Sequence, residues 1–143
     1  MTWNEYKRCL TLRYDQFIAE HQIGRDQIDK DVRYEKITDV DRVQLGDDQH
    51  FYFKDGGLKM IYLSEGRLAT TVWTEFKSSA DASASETVVR SRAGKTANQV
   101  VFAEQGITAS VQGNDVNFVE IYPPQSLEEY LATIYREPMP FIR

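Results

Sequence analysis

Almost everything between residues 26 and 122 breaks into short runs of alternating or β-branched apolar residues separated by turn residues. That rhythm constrains the fold more than any other feature of the chain. The clearest turn signals are Asp55-Gly56-Gly57, Ser64-Glu65-Gly66, Ala93-Gly94-Lys95, Glu104-Gln105-Gly106 and Gly113-Asn114-Asp115. Strands are expected at 32–37, 50–54, 58–63, 67–77, 86–92, 98–103, 107–112 and 116–122. Residues 84–103 also tolerate helical spacing through Val88, Val89, Ala97, Val100 and Val101, but Gly94 and the β-branched pairs favour strands.

Two helix-start signatures bracket this β region. Thr2-Trp3-Asn4-Glu5 opens the chain, and Ser126-Leu127-Glu128-Glu129 follows a Pro123-Pro124 stop. In each, a hydroxyl can accept from the backbone N–H three residues on while the glutamate reaches back. Trp3, Tyr6, Leu10, Tyr14, Phe17, Ile18 and His21 recur at steps of three and four, so one helix is expected over 2–23, stopped by Gly24. A closing helix is expected over 127–135, with the apolar tail 139–142 docking behind it. The predicted fold class is therefore α+β: one curved, meander-like antiparallel sheet of about six or seven strands, flanked by an N-terminal and a C-terminal helix. With no linker or repeat, residues 1–143 read as one domain. The small, polar stretch 78–85 is expected to be its most mobile internal loop.

The net charge is −5 and the pI about 5.1, which argues against direct nucleic-acid binding. No apolar run approaches membrane-spanning length, the N-terminus lacks a signal-peptide core, and Cys9 is the single cysteine. Together these point to a cytoplasmic protein that does not insert into membranes.

Each constellation with chemical potential meets a simpler explanation. Gly94-Lys95-Thr96 mimics the end of a phosphate loop, but the required first glycine is Val89 and no helix is expected to follow. Glu75-Phe76-Lys77 on a strand would project carboxylate and ammonium from one face, and with Asp55 would suit a metal-dependent nuclease. Asp39-Val40-Asp41 begins a calcium-loop pattern that Val43 breaks. On a single helix Cys9 and His21 would lie about 18 Å apart, too far for a nucleophilic pair. Neither histidine has a metal-ligand spacing, so no metal or other cofactor is expected. Arg90 and Arg92, on one strand face with Lys95 beyond, form a basic stripe of the kind that protects a sheet edge.

What remains is the stretch 26–55, where acids outnumber bases and surround His50, Phe51, Tyr52 and Phe53. Carboxylates that steer encounter, beside aromatic groups that anchor, suit a protein interface. Asp39, Asp41, Asp47, Asp48, His50 and Tyr52 are the candidate partner-binding residues. The leading expectation is a small non-catalytic binding domain for a basic protein. In profile (small, acidic, without an active site) it is similar to immunity-type inhibitors that neutralise a toxic nuclease or a comparable effector, although no motif carries that likeness. The alternatives are a small apolar-ligand binder with a pocket near Tyr62, Trp73, Phe102 and Phe118, and the nuclease using Asp55, Glu75 and Lys77.

Overall fold

The computed structural model describes residues 1–83 and 86–138; the tail 139–142 and the end of the expected mobile loop lie outside them. Helix α1 (Trp3–Cys9) starts at the expected capping box, with Thr2 Oγ1 accepting from Glu5 N–H and Glu5 accepting from Thr2 N–H. It is not continuous to residue 23. After Cys9 the chain tightens into a turn, the Thr11 hydroxyl donates to the Arg8 carbonyl, and Tyr14 N–H is drawn to Gly56 O at 2.9 Å. A second helix, α2 (Tyr14–Glu20), then begins, with Gln16 Oε1 accepting the Arg13 N–H. The apolar stripe survives because both helices lay it on the same sheet face. The break comes from tertiary pairing of Arg13 with Gly57, which no periodicity encodes.

Four strands follow as a meander: β1 (Ile28–Tyr34), β2 (Ile37–Leu45), β3 (Gln49–Lys54) and β4 (Gly57–Ser64). The expected strand at 32–37 is in fact a hairpin corner, turned at Glu35 and Lys36, with Glu35 at φ 51°. Residues 67–77 are not a strand but helix α3 (Arg67–Lys77). Thr70, Thr71 and Val72 favour extended backbone, yet the buried positions Ala69, Val72 and Phe76 are spaced by three and four. Topology reinforces the helix, since the chain must cross from β4 inside the sheet to its far edge. Past a 3₁₀ turn (Ala80–Ser83), a second meander runs β5 (Thr87–Arg90), β6 (Asn98–Phe102), β7 (Ile107–Gln112) and β8 (Asp115–Ile121). The 3₁₀ turn is tied down: Asp81 accepts from Trp3 Nε1 at 3.2 Å and from Lys7 Nζ at 2.8 Å. Helix α4 (Leu127–Thr133) closes the described chain from its own capping box at Ser126 and Glu129.

The eight strands among the described residues form one antiparallel sheet in the order β1-β2-β3-β4-β8-β7-β6-β5, and among those residues it is not closed. The α+β expectation holds, with two more helices than anticipated. One face packs against α1, α2 and α3, where Trp3, Tyr6, Phe17, Val72 and Phe76 cover Phe51, Phe53, Ile61, Leu63, Val119 and Ile121. The opposite face carries Tyr34, Val40, Tyr52, Met60, Val101 and Tyr122, beneath Tyr130 and Ile134 from α4. No helix among the described residues is long and apolar enough to cross a membrane.

Candidate functional site

Strand β8 lies in the middle of the sheet, and its alternation sends Val119 and Ile121 to the three-helix face and Phe118, Glu120 and Tyr122 to the other. Glu120 is 1% exposed. A buried carboxylate needs donors on both oxygens, and here they converge from distant segments. Tyr130 O–H of α4 donates to Oε1 at 2.6 Å; Tyr34 O–H of β1 donates to Oε2, which Arg92 Nη1 also approaches at 3.4 Å. Arg92 further donates to the Tyr34 oxygen at 2.7 Å and pairs with Glu35 at 3.1 Å. Burial, then the Glu120 carboxylate, push the Tyr34 and Tyr130 phenols well above their ordinary range, so both remain protonated donors.

These contacts define the shape of the sheet. Four strand spacings of about 4.8 Å put β1 roughly 19 Å from β8 in a flat sheet. Direct bonding of Tyr34 to Glu120, and of Arg92 (just past the opposite edge strand β5) to Tyr34 and Glu35, requires a tightly curled sheet. Side chains from its two edges meet over the central strand. The cluster is an edge-to-edge clasp, and the α4 face is the concave one.

Helix α4 plugs one end of this concave face, where Tyr130 stacks on Tyr122 with centroids 5.0 Å apart and receives Gln99 Nε2 at 3.1 Å. Toward the other end runs an aromatic row across β3, β4 and β8: His50 to Tyr62 at 5.9 Å and Tyr62 to Phe118 at 5.6 Å. The Arg92 guanidinium lies 4.2 Å from the Phe118 ring centre. His50 and Tyr62 are half-buried. Beside them, Asp29 pairs with Arg42 at 2.8 Å and accepts from Gln44 Nε2. Burial, and then the positive field of Arg42, hold the His50 pKa below its usual 6.5, against smaller opposing pulls from Asp29 and Asp48.

The six candidate partner-binding residues do not form a single patch. His50 and Tyr52 face the concave side; in the β2–β3 turn beyond them, half-buried Asp48 acts on both His50 and Tyr6 of the opposite face, and Asp47 is exposed. Asp41 faces the other way, held by Lys30 at 3.2 Å beside Tyr14 and Phe53, and exposed Asp39 opens the same strand. Asp39 lies near the start of β2 and Asp47 in the turn beyond its end, so most of the strand separates them. The four candidate pocket residues also separate: Trp73 of α3 packs on Phe102 on the three-helix face, whereas Tyr62 and Phe118 lie on the concave face. Among the described residues the cavities include surface grooves of about 190 to 370 Å³.

The nuclease arrangement loses its premise. On a helix, residues two apart point to nearly opposite sides. Glu75 accepts from Trp3 N–H, Lys77 lies over Trp73 and Phe102, and exposed Asp55 sits in the β3–β4 turn. No three acidic, histidine or cysteine side chains among the described residues are grouped to hold a metal. Cys9 and His21 are not held at the separation a single helix would impose, because the break between α1 and α2 lets both line one groove of about 240 Å³. Cys9 is nevertheless buried, with Sγ against Met1 Sδ at 3.7 Å, and burial followed by Glu20 raises its pKa, which disfavours the thiolate. Gly94-Lys95-Thr96 lies in the β5–β6 connection and no helix follows it. Arg90 and Arg92 do not share a strand face: β5 ends at Arg90, and Arg92 folds over the concave side.

Glu120, Tyr34 and Tyr130 escaped the sequence reading. The one available signal was a glutamate set between Phe118, Val119, Ile121 and Tyr122, in a strand apolar on both faces. No protein-family model, curated protein or solved structure matches the chain.

Proposed function

We propose that this chain is a non-catalytic protein-binding domain that docks a basic partner at the open end of its concave face. The observation that carries the reading is the half-buried His50–Tyr62 pair next to the β2–β3 turn that bears Asp47 and Asp48. Rigid aromatic groups supply anchoring area, and exposed carboxylates steer encounter. The curled sheet beneath is fixed by Glu120, Arg92 and Tyr34, so the anchors are pre-organised, which lowers the entropy lost on docking. The overall charge of −5 favours a cationic partner. In its most concrete form the domain is an immunity-type inhibitor that neutralises a basic effector such as a toxic nuclease.

The experiment is recovery of the partner from the native source, followed by association kinetics against salt. Asp47→Asn with Asp48→Asn should slow association roughly tenfold and flatten its salt dependence, since exposed charges are screened over about 8 Å at physiological ionic strength. Asp39→Asn with Asp41→Asn should change it less, and Tyr62→Ala should act chiefly on dissociation. Equal effects from the two aspartate pairs, or none from Tyr62→Ala, would move the interface off the concave face. A partner that is acidic, or no protein partner at all, would end the reading.

A further inference from the structure

Among the described residues the sheet has two edges, β1 and β5. The first is guarded: its register shifts twice against β2, Asp31 takes φ 52°, and Lys30, Asp31 and Arg33 stand exposed along it. Strand β5 is regular against β6, and that ladder fixes where its backbone groups point. Thr87 opposes Val101 and Val89 opposes Gln99, in the register in which Ser91 N–H donates to Ala97 O at 3.1 Å. Hydrogen-bonded residues alternate along an antiparallel strand, so Thr87, Val89 and Ser91 face β6 while Val88 and Arg90 turn their backbone groups outward. The Arg90 carbonyl bears this out, accepting from Tyr135 O–H at 2.8 Å. No strand among the described residues pairs with the outward groups of Val88. Alternation also puts Glu86, Val88 and Arg90 on one face; all three are exposed, Val88 at 56%.

This edge is complementary to itself. Reading Glu86-Thr87-Val88-Val89-Arg90 against its own reverse about Val88 sets Glu86 opposite Arg90, Thr87 opposite Val89 and Val88 opposite Val88. Acid meets base at both ends, and an apolar pair sits at the centre. The same register makes Val88 a hydrogen-bonded pair with its own copy, which its outward N–H and C=O satisfy. A slip of one residue would set outward groups against groups already bonded to β6. We propose that the chain forms a two-fold symmetric dimer by antiparallel pairing of β5 with β5 of a second copy, centred on Val88. Glu86 of each copy pairs with Arg90 of the other, on the face that bears Val88. The Arg90 carbonyl keeps a second lone pair for the new ladder beside the Tyr135 hydroxyl. The edge shares no residue with the His50–Tyr62 surface, so the dimer stands or falls apart from the proposed protein partner.

So short a pairing makes a small interface and a weak dimer, which must be read at high concentration. The test is sedimentation equilibrium of the full chain from about 10 µM to about 1 mM, with amide hydrogen exchange measured alongside. The mean mass should climb toward twice that of the monomer, and the Val88 amide should gain protection with it. Val88→Lys sets two ammonium groups against each other across the two-fold axis and should abolish the dimer. Glu86→Arg and Arg90→Glu, each alone, oppose like charges at both ends and should weaken association about tenfold. Combined in one chain, the two changes should restore it. All three sites are exposed, so an unchanged urea midpoint in dilute protein reports an intact fold. A monomer at every concentration, or a dimer indifferent to Val88→Lys, would overturn the proposal. So would a combined variant no better than the single ones, because the copies would then not run antiparallel about Val88.

Discussion

Arg92→Met removes the cation that ties the two sheet edges together while keeping an unbranched chain to lie against Phe118. Three interactions go: to Glu120 Oε2 at 3.4 Å, to the Tyr34 oxygen at 2.7 Å, and to Glu35 at 3.1 Å. The Glu120 carboxylate stays 1% exposed, with only the Tyr34 and Tyr130 phenols to hold its charge. Removing one partner of a buried ion pair costs about 3–5 kcal/mol. The two retained donors place this case at the low end, about 3 kcal/mol. With a melting entropy of about 2.1 cal/mol/K per residue, a chain of 143 residues should then lose roughly 10 °C in Tm. Urea denaturation reads the stability directly, and an unchanged m-value would show that the unfolded state was not the site of action. A cycle with Glu120→Gln should return a coupling of about 1–3 kcal/mol, because the amide no longer leaves a bare charge buried when Arg92 is absent. A loss below about 1 kcal/mol with no coupling would mean that Arg92 is solvated and the sheet edges are not clasped.

Phe17→Ala should lower stability by about 3–5 kcal/mol, since this fully buried ring sits 4.7 Å from Phe51 and 5.3 Å from Phe53; an unchanged urea midpoint would detach α2 from the sheet. His50 is held neutral by burial in the native state and titrates near 6.5 when unfolded, so the unfolded chain takes up protons first as pH falls. Stability attached to His50 is thus fully present above pH 6.5 and declines below it, and His50→Gln should remove that part of the slope. Identical pH profiles for the two proteins would show that the ring is solvated.

The strand rhythm was legible where turn chemistry and alternation agree, as in the β3–β4 hairpin around Asp55 and Gly56 and in the β7–β8 hairpin around Gly113. It misled at 67–77, because Leu68, Val72 and Phe76 share a face in either conformation. The three β-branched residues tilted the reading toward a strand. Burial of Ala69 settles the period, and burial is a tertiary fact. The break after Cys9 was hidden for a related reason: the same apolar stripe serves one helix of six turns or two shorter helices, and only the Arg13–Gly57 bridge separates the two cases.

The clasp could not be read from spacing at all. Tyr34 and Glu120 are 86 residues apart, and Arg92 and Tyr34 are 58. Their meeting depends on how far an eight-stranded sheet curls, a sum of small twists that no local pattern records. The polar residues of the concave face were therefore visible only as scattered surface charges or strand residues. Arg92 looked like an edge device beside Arg90, although the two diverge where β5 ends. The same curl splits the acidic stretch 26–55, since alternation along β2 and β3 sends Asp41 to the helix side and Tyr52 to the concave side. By composition the stretch is one acidic, aromatic region; in the folded chain Asp41 faces the helix side, whereas Asp29 and Asp48 act on the half-buried His50 beside Tyr62. That difference is why the two aspartate pairs must be replaced separately. A steering field from overall charge would respond to both alike, whereas a docking surface on the concave face responds to one.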